Sequence, residues 1–361
     1  MSSTTLQKAT DIGRVDGPLQ GYHREWYVVR PGPDFPGKGR LKVGEPREDV
    51  LWYDRRCFAS EDLLLVELAK RDVPRIPPVH RLAPDGPLIH GFIEGTPLNL
   101  LHPRGHRVPL VHLGQIMAVF RKLAAIRPWG FPAPRLCKEK DRPEDGNSEG
   151  FLRTLLRFTH EKSFLPHADE FGGLFRQLGL TKDVLRRGTR LDSEAGRLTR
   201  RPFCLLHGDL HRANFIVGES LQLWTIDWEL AMLGDPLYDL ATHLHLMEYP
   251  ADQEPAVVEA WRAAVSAELP EAVAGLETDL PRYRAYKRIQ SVYTDVVRHV
   301  RMLQSLPPSE RRTEQLGASA KAVHQALWRA RHDLRLTEVP TPAEVEYAYG
   351  PFSAVLRGSP A

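Results

Sequence analysis

The residues whose types and spacing point most directly to chemistry lie in Phe203-Cys-Leu-Leu-His207-Gly208-Asp209-Leu210-His211-Arg212-Ala213-Asn214-Phe215-Ile216-Val217. An apolar run leads into His-Gly-Asp, an Asn follows, and a second apolar run comes after it. Leu221-Gln-Leu-Trp-Thr-Ile226-Asp227-Trp228-Glu229 comes next. Gly218-Glu219-Ser220 reads as a three-residue hairpin connection between Phe215–Val217 and Leu223–Ile226. Such a hairpin sets Asn214 beside Asp227, beneath the loop that carries Asp209. Phosphoryl transfer needs this set. One carboxylate, Asp209, positions a hydroxyl and takes its proton. An amide oxygen from Asn214 and a second carboxylate from Asp227 hold magnesium on nucleotide phosphates.

Taken singly, Asp and Asn are turn-formers. Here three spacings agree at once, and that favours the chemical reading. His207 is expected to hydrogen-bond backbone and hold the loop, with no acid–base role. His211 reads equally as a phosphate neighbour or a structural partner. Asp235 and Asp239 are expected to cap or brace the helix that follows them. His207, His211, His243 and His245 do not read as a zinc cluster, because the Asp/Asn pattern already accounts for the region.

Other elements must position these groups. Glu25–Arg30 and Arg40–Val43 have strand character, with a Gly- and Pro-rich connection between them. Ser60-Glu61-Asp62 reads as a capped helix start, and the helix runs to about Lys70, before Pro74. Further strands are expected at Val79–Leu82 and Leu88–Ile93. After residue 94 the chain turns helical. Leu113, Ile116, Met117, Phe120 and Leu123 form one stripe; Tyr286, Ile289, Tyr293, Val296, Val300 and Leu303 form the cleanest one. Residues 128–150 read as a loop, Ser319–Arg331 as a helix, and the chain beyond Pro340 as a loosely packed tail.

His207–Asn214, Ile226-Asp227-Trp228-Glu229 and Gly234-Asp235-Pro236-Leu237-Tyr238-Asp239-Leu240-Ala241 together resemble the aminoglycoside phosphotransferase and choline kinase-like family. The resemblance spans about residues 15–330. It implies an α+β, two-lobed protein-kinase-like fold. Residues 1–94 would be a small antiparallel sheet lobe with one helix, residues 95–335 a larger helical lobe with an insertion at about 128–201, and residues 336–361 a tail. It also implies roles. Asp209 is the base; Asn214 and Asp227 are magnesium ligands. Lys42 meets the phosphates and Glu61 pairs with Lys42. His90, Phe92 and Ile93 belong to a hinge that offers backbone groups to a nucleobase. Gly21, in Asp16–Tyr22, belongs to the loop over the phosphates. Arg55 or Arg56 is an alternative to Lys42. Gly208 stands where protein kinases carry Arg, so coupling to a phosphorylated activation loop is not expected.

Composition narrows the classes. The chain has 361 residues, with Lys+Arg 49, Asp+Glu 46 and a formal net charge of +3. At 42% hydrophobic and 26% charged, it is a folded chain of two domains or two lobes. No apolar run approaches a membrane span, and the start lacks the apolar segment of a signal peptide, so a cytoplasmic enzyme is expected. Cys57, Cys137 and Cys204 are widely spaced and expected to be reduced thiols. The expected cofactors are ATP or GTP with Mg2+. The acceptor is a small polyhydroxylated molecule of antibiotic, sugar or nucleoside type; alternatives are Ser or Thr of a peptide, or a non-catalytic nucleotide-binding module. Neither nucleic acid nor membrane is an expected partner. Lys182, Arg186, Arg187, Arg190, Arg197, Arg200 and Arg201 form a basic run, read as a solvated insertion or a docking surface for an anionic acceptor. Glu248, Asp252, Glu254 and Glu259 read as helix surface or the lining of a cationic-substrate pocket.

Overall fold

The computed structural model describes residues 4–19, 24–33, 39–47, 52, 54–81, 88–180, 184–307 and 309–353. The chain divides into two compact units. One comprises Met1–Val50, Arg55–Phe151 and Thr199–Leu276; the other comprises Leu51–Asp54, Leu152–Leu198 and Glu277–Ala361. The strand-rich segment and the catalytic-type segments therefore share a unit.

In the first unit the described residues form a five-stranded antiparallel sheet, ordered β1 (Gly13–Leu19), β2 (Arg24–Pro31), β3 (Leu41–Pro46), β5 (Leu88–Gly91) and β4 (Val79–Arg81). The run Trp26-Tyr-Val-Val29 is buried in β2, as its aromatic and β-branched content favours. A helix that the sequence pattern did not announce, α1 (Thr4–Ile12), lays Leu6, Ala9 and Ile12 on the core formed by Tyr27, Val29, Leu41, Val43 and Ile89. Its short apolar stripe is too sparse to stand out without that partner. Part of the expected Asp16–Tyr22 loop is strand β1; residues 20–23, including Gly21, lie outside the described residues. The strand expected to reach Ile93 ends at Gly91.

Helix α2 (Glu61–Ala69) begins as read. The Ser60 hydroxyl accepts the Leu63 N–H at 3.2 Å, and Leu64, Leu65 and Leu68 are buried. Helix α3 (Leu110–Ala124) buries its predicted stripe. Short strands carry the motif region. β6 (Thr96–Pro97), β8 (Phe215–Val217) and β9 (Leu223–Thr225) form one sheet; β7 (Cys204–Leu206) pairs with β10 (Met232–Gly234). The β8–β9 turn is longer than three residues. Gly218 N–H bonds Gln222 O at 2.8 Å, and both Ser220 and Leu221 adopt positive φ, 54° and 59°.

Asp235 caps α4 (Pro236–Met247), its carboxylate accepting the Leu237 N–H at 3.0 Å. The same carboxylate meets Arg201 at 2.6 Å, both side chains at 0% exposure, and Arg201 Nε also reaches Ala274 O. Arg201 is thus a buried structural cation, while Arg197 pairs with Glu194 at 3.1 Å. The basic run is therefore not one continuous docking surface, and Lys182 lies outside the described residues.

The second unit is built on α5 (Leu276–Ser305), α6 (Glu310–Leu334) and α7 (Pro342–Ser353). The α5 stripe from Tyr283 to Leu303 is buried as its spacing predicts. The tail differs from expectation. Thr341 and Glu344 form a reciprocal capping box, the Thr341 N–H bonding the Glu344 carboxylate at 2.8 Å and the Glu344 N–H bonding the Thr341 hydroxyl at 3.3 Å. That box starts α7, which buries Val345 and Tyr349, and Tyr349 OH donates to Val296 O. Pro342 is a helix starter here, not a sign of loose chain. Among the described residues no helix is long and apolar enough to cross a membrane.

Removing Asp235 would take from the buried Arg201 guanidinium its carboxylate partner at 2.6 Å and uncap α4. Asp235→Ala is expected to lower unfolding stability by about 3–5 kcal/mol in urea denaturation. A loss below about 1 kcal/mol would contradict the pairing.

Candidate active site

The loop after β7 is held by groups that leave little freedom. The buried Asp239 carboxylate, on α4, accepts the His207 N–H at 3.0 Å and the Gly208 N–H at 2.8 Å. Asp239 thus braces this loop, whereas Asp235 is the residue that caps α4. Gly208 has φ 80°, and a Cβ there would lie 2.6 Å from Leu230 O. An arginine at this position is sterically excluded, which explains the departure from the protein-kinase pattern.

His207 is fully buried against the Trp228 ring, with centroids 4.5 Å apart. Burial pushes its pKa down to about 4. The imidazole is therefore neutral near pH 7. Its Nδ1 accepts the Asp209 N–H at 3.3 Å, so the proton sits on Nε2, which donates to Ile226 O at 3.2 Å. His207 holds the loop, as expected. His243, on α4, does the same from behind: Nδ1 lies 2.9 Å from Leu210 O and Nε2 3.0 Å from the Tyr249 hydroxyl. Arg212 is buried and clamps three carbonyls, those of Met247, His102 and His106.

Asp209 itself is partly exposed. Asn214 Nδ2 donates to its carboxylate at 3.0 Å and to its carbonyl at 2.9 Å. His211 Nε2 lies 3.3 Å from the same Oδ2, while His211 Nδ1 accepts the Ala213 N–H. His211 is therefore a structural neighbour of Asp209. With Nδ2 turned to Asp209, Asn214 presents Oδ1, and among the described residues that oxygen accepts no hydrogen bond.

The β8–β9 pairing brings Asp227 next to Asn214, as the spacing implied. Ile226 N–H bonds Asn214 O at 2.9 Å. Asp227 adopts φ 66°, a strained backbone for a residue with a Cβ. Among the described residues its carboxylate has no hydrogen-bond or ion-pair partner. Burial first, then the neighbouring carboxylates of Glu229, Glu61 and Asp209, push its pKa well above the usual carboxylate range; Lys42 opposes them.

Lys42 comes from the middle of the sheet, opposite Val28 on β2 and His90 on β5. Its ammonium stands 3.8 Å from the centre of the Trp26 ring. Burial holds its pKa below the ordinary lysine value, against the pull of Glu61, Asp227 and Glu229. The expected Lys42–Glu61 pair is not a direct one. Among the described residues no ion pair joins them. Glu61 instead accepts the Trp228 N–H at 2.9 Å and lies 3.7 Å from Arg24. The Trp228 N–H and the nearby Arg24 hold the Glu61 carboxylate, so Lys42 feels its charge at longer range. Arg24 and Trp26 were not singled out from the sequence, and Glu229 was quoted in the Ile226–Glu229 motif without a role; their contacts and electrostatic influence reveal them.

The hinge residues divide. His90 pairs with Lys42 in the sheet, and its ring lies 2.7 Å from Asp62. Phe92 gives its N–H to Arg40 O at 2.8 Å. Ile93 follows the end of β5, and among the described residues its backbone N–H has no partner. Arg55 is buried and bonds Asp141 O, away from the carboxylate cluster; Arg56 lies within electrostatic range of Glu229 and Glu61. The acids after residue 247 are largely matched: Glu248 with Arg104 at 3.1 Å, Asp252 with Arg107, and Glu259 with Arg262 at 3.2 Å.

A sequence model of the phosphotransferase enzyme family, named for the aminoglycoside phosphotransferases, matches residues 40–286, more than half of the chain. No curated protein sequence matches. Among solved structures, a candidate aminoglycoside phosphotransferase from Ralstonia eutropha is similar at 14% identity and a TM-score of 0.54, over 90% of this chain and 94% of that one. A choline/ethanolamine kinase family protein from Mesorhizobium loti is similar at 18% identity and a TM-score of 0.47, over 96% and 95%. A macrolide 2'-phosphotransferase from Brachybacterium faecium is similar at 17% identity and a TM-score of 0.49, over 88% and 97%. With the family match covering both Lys42 and the His207–Asp239 region, the chain belongs to the phosphotransferase enzyme family, has its protein-kinase-like fold, and is an enzyme that phosphorylates an alcohol group.

Proposed function

We propose that this enzyme moves the γ-phosphate of ATP or GTP, as its magnesium complex, to a hydroxyl of a small polyhydroxylated molecule. One observation carries the reading. Asn214 Oδ1 and the Asp227 carboxylate are two oxygen acceptors flanking adjacent strands, just before β8 and just after β9, both without a partner among the described residues, in a field of surplus negative charge. Hard oxygen donors of this kind suit magnesium. No group of three or more His, Cys, Asp or Glu among the described residues is arranged to hold a metal alone. Two protein donors completed by phosphate oxygens and water is the arrangement magnesium takes in phosphoryl-transfer sites. When bound, the ion supplies neutralisation of the phosphate charge.

The chain's own groups do the rest. Asp209 is oriented by Asn214 and lies where it accepts the proton of an acceptor hydroxyl. Lys42, held in the sheet over Trp26, adds positive charge toward the phosphates. The unpaired Ile93 N–H supports its role as the hinge donor to the nucleobase edge. Membership of the phosphotransferase enzyme family supports a small-molecule acceptor. The arginine-paired acids after residue 247 speak against a pocket built there for a polycation. A cytoplasmic setting belongs to the same reading.

Asp209→Asn keeps the shape and the Asn214 contact but removes the base. Its kcat is expected to fall by about 10²–10⁴ in an assay following labelled γ-phosphate, with the circular-dichroism spectrum unchanged. Turnover within about tenfold of wild type would refute a base at Asp209. Chelation with EDTA is expected to abolish transfer and added Mg2+ to restore it; undiminished activity in EDTA would remove the metal from the mechanism.

A further inference from the structure

A second reactive cluster lies within the first unit, apart from the carboxylate site. The segments around Cys57 and Cys137 are joined as an antiparallel bridge. Phe58 pairs with Arg135, Leu136 N–H bonds Cys57 O at 3.0 Å, and Ala59 N–H bonds Pro134 O at 2.8 Å. Cys137 Sγ lies 3.6 Å from Cys57 O. Both cysteines line a small, partly open cavity whose wall also holds Arg55, Arg135 and Arg142.

Three arginines share this wall with one acid, Asp141. Arg135 bonds Pro128 O at 3.2 Å and Arg142 bonds Cys137 O at 2.9 Å, both main-chain acceptors, and neither pairs with a carboxylate among the described residues. A thiolate is the anion that this wall favours. The hydrogen bond from the Cys57 thiol, together with Arg142 and Arg55, brings the Cys137 thiol down to about 5 against the opposing effect of burial. Cys204 provides the contrast. It is buried in β7, where burial and the nearby carboxylates of Asp239 and Asp235 push its thiol up. No disulfide joins the three cysteines.

We propose that Cys137 is a modification site for hydroperoxides and that Cys57 is its resolving thiol, the pair closing reversibly to a disulfide across the 57–59/134–136 bridge. The Cys137 thiolate attacks one oxygen of hydrogen peroxide. An S–O bond forms, the O–O bond breaks, and the departing hydroxide takes a proton and leaves as water. The Cys57 sulfur then attacks the Cys137 sulfenic acid. The S–S bond forms and the S–O bond breaks; the released hydroxide takes the Cys57 proton as a second water. Two thiols and one peroxide give one disulfide and two waters, with two electrons passed to the oxidant. Cys57 precedes Ser60 and Glu61 closely, so the crosslink tethers the segment that enters α2.

The test uses the full chain without nucleotide. Iodoacetamide labelling at pH 7, followed by peptide mass spectrometry, is expected to modify Cys137 at least about tenfold faster than Cys204. Treatment with hydrogen peroxide is expected to yield a Cys57–Cys137 linked peptide that dithiothreitol cleaves. In Cys57→Ser the sulfenic acid persists and is trapped on Cys137 by dimedone. Labelling of Cys137 as slow as that of Cys204, or peroxide treatment of the wild type that leaves both thiols intact, would overturn the proposal. The wild-type measurements decide the matter even if the variant folds poorly.

Discussion

The site is organised by an imbalance of charge. The carboxylates of Glu229, Glu61 and Asp209 act on Asp227, and Lys42 opposes them there. These groups are buried or only partly exposed, and burial is the largest influence on both Asp227 and Lys42. An isolated folding domain would avoid such a cluster, since like charges in a poorly solvated place cost stability. Here the cost is consistent with a bound cation and a nucleotide whose charges complete the set. The strained φ of Asp227 and its unpartnered carboxylate belong to the same constraint.

Much of the surrounding structure keeps that arrangement from relaxing. Asp239 locks the backbone of His207 and Gly208. Glu61 locks the backbone of Trp228, next to Asp227. Trp228 in turn packs on His207, whose neutral ring joins Asp209 N–H to Ile226 O. The three segments that carry the site are thus joined by short bonds through buried groups. Rearranging any one of them would leave a polar group unpaired, so the site is preorganised, which is where electrostatic catalysis gains most.

Part of this was legible in the sequence, and the limit follows the range of the interactions. Asp209, Asn214 and Asp227 are set by local spacing on one hairpin and the loop that leads into it, so the motif carried them. The Ser60 cap and the α5 stripe are local signals too, and both stand as read. The failures are long-range or compensated. Glu61 is held by Trp228 and Arg24, residues far from it in the chain, so its pairing could not be read from position. Asp239 reads as a helix-start acid, but its carboxylate turns back to the loop after β7. Helix α1 depends on the sheet beneath it. Helix α7 announced itself only through Thr341 and Glu344, a signal masked by the nearby prolines. The basic run illustrates the reverse error: composition counted Arg201 with surface arginines, while it is buried on Asp235.

If Asp227 and Asn214 hold a divalent cation against nucleotide phosphates, as we propose, its binding can be read without knowing the acceptor. Manganese is a paramagnetic stand-in for magnesium, and electron paramagnetic resonance distinguishes its free and bound forms. In the presence of ADP, the wild-type enzyme should take manganese out of the free signal, and Asp227→Asn should bind it far more weakly while still folding. Equal manganese binding by the two proteins would contradict the account.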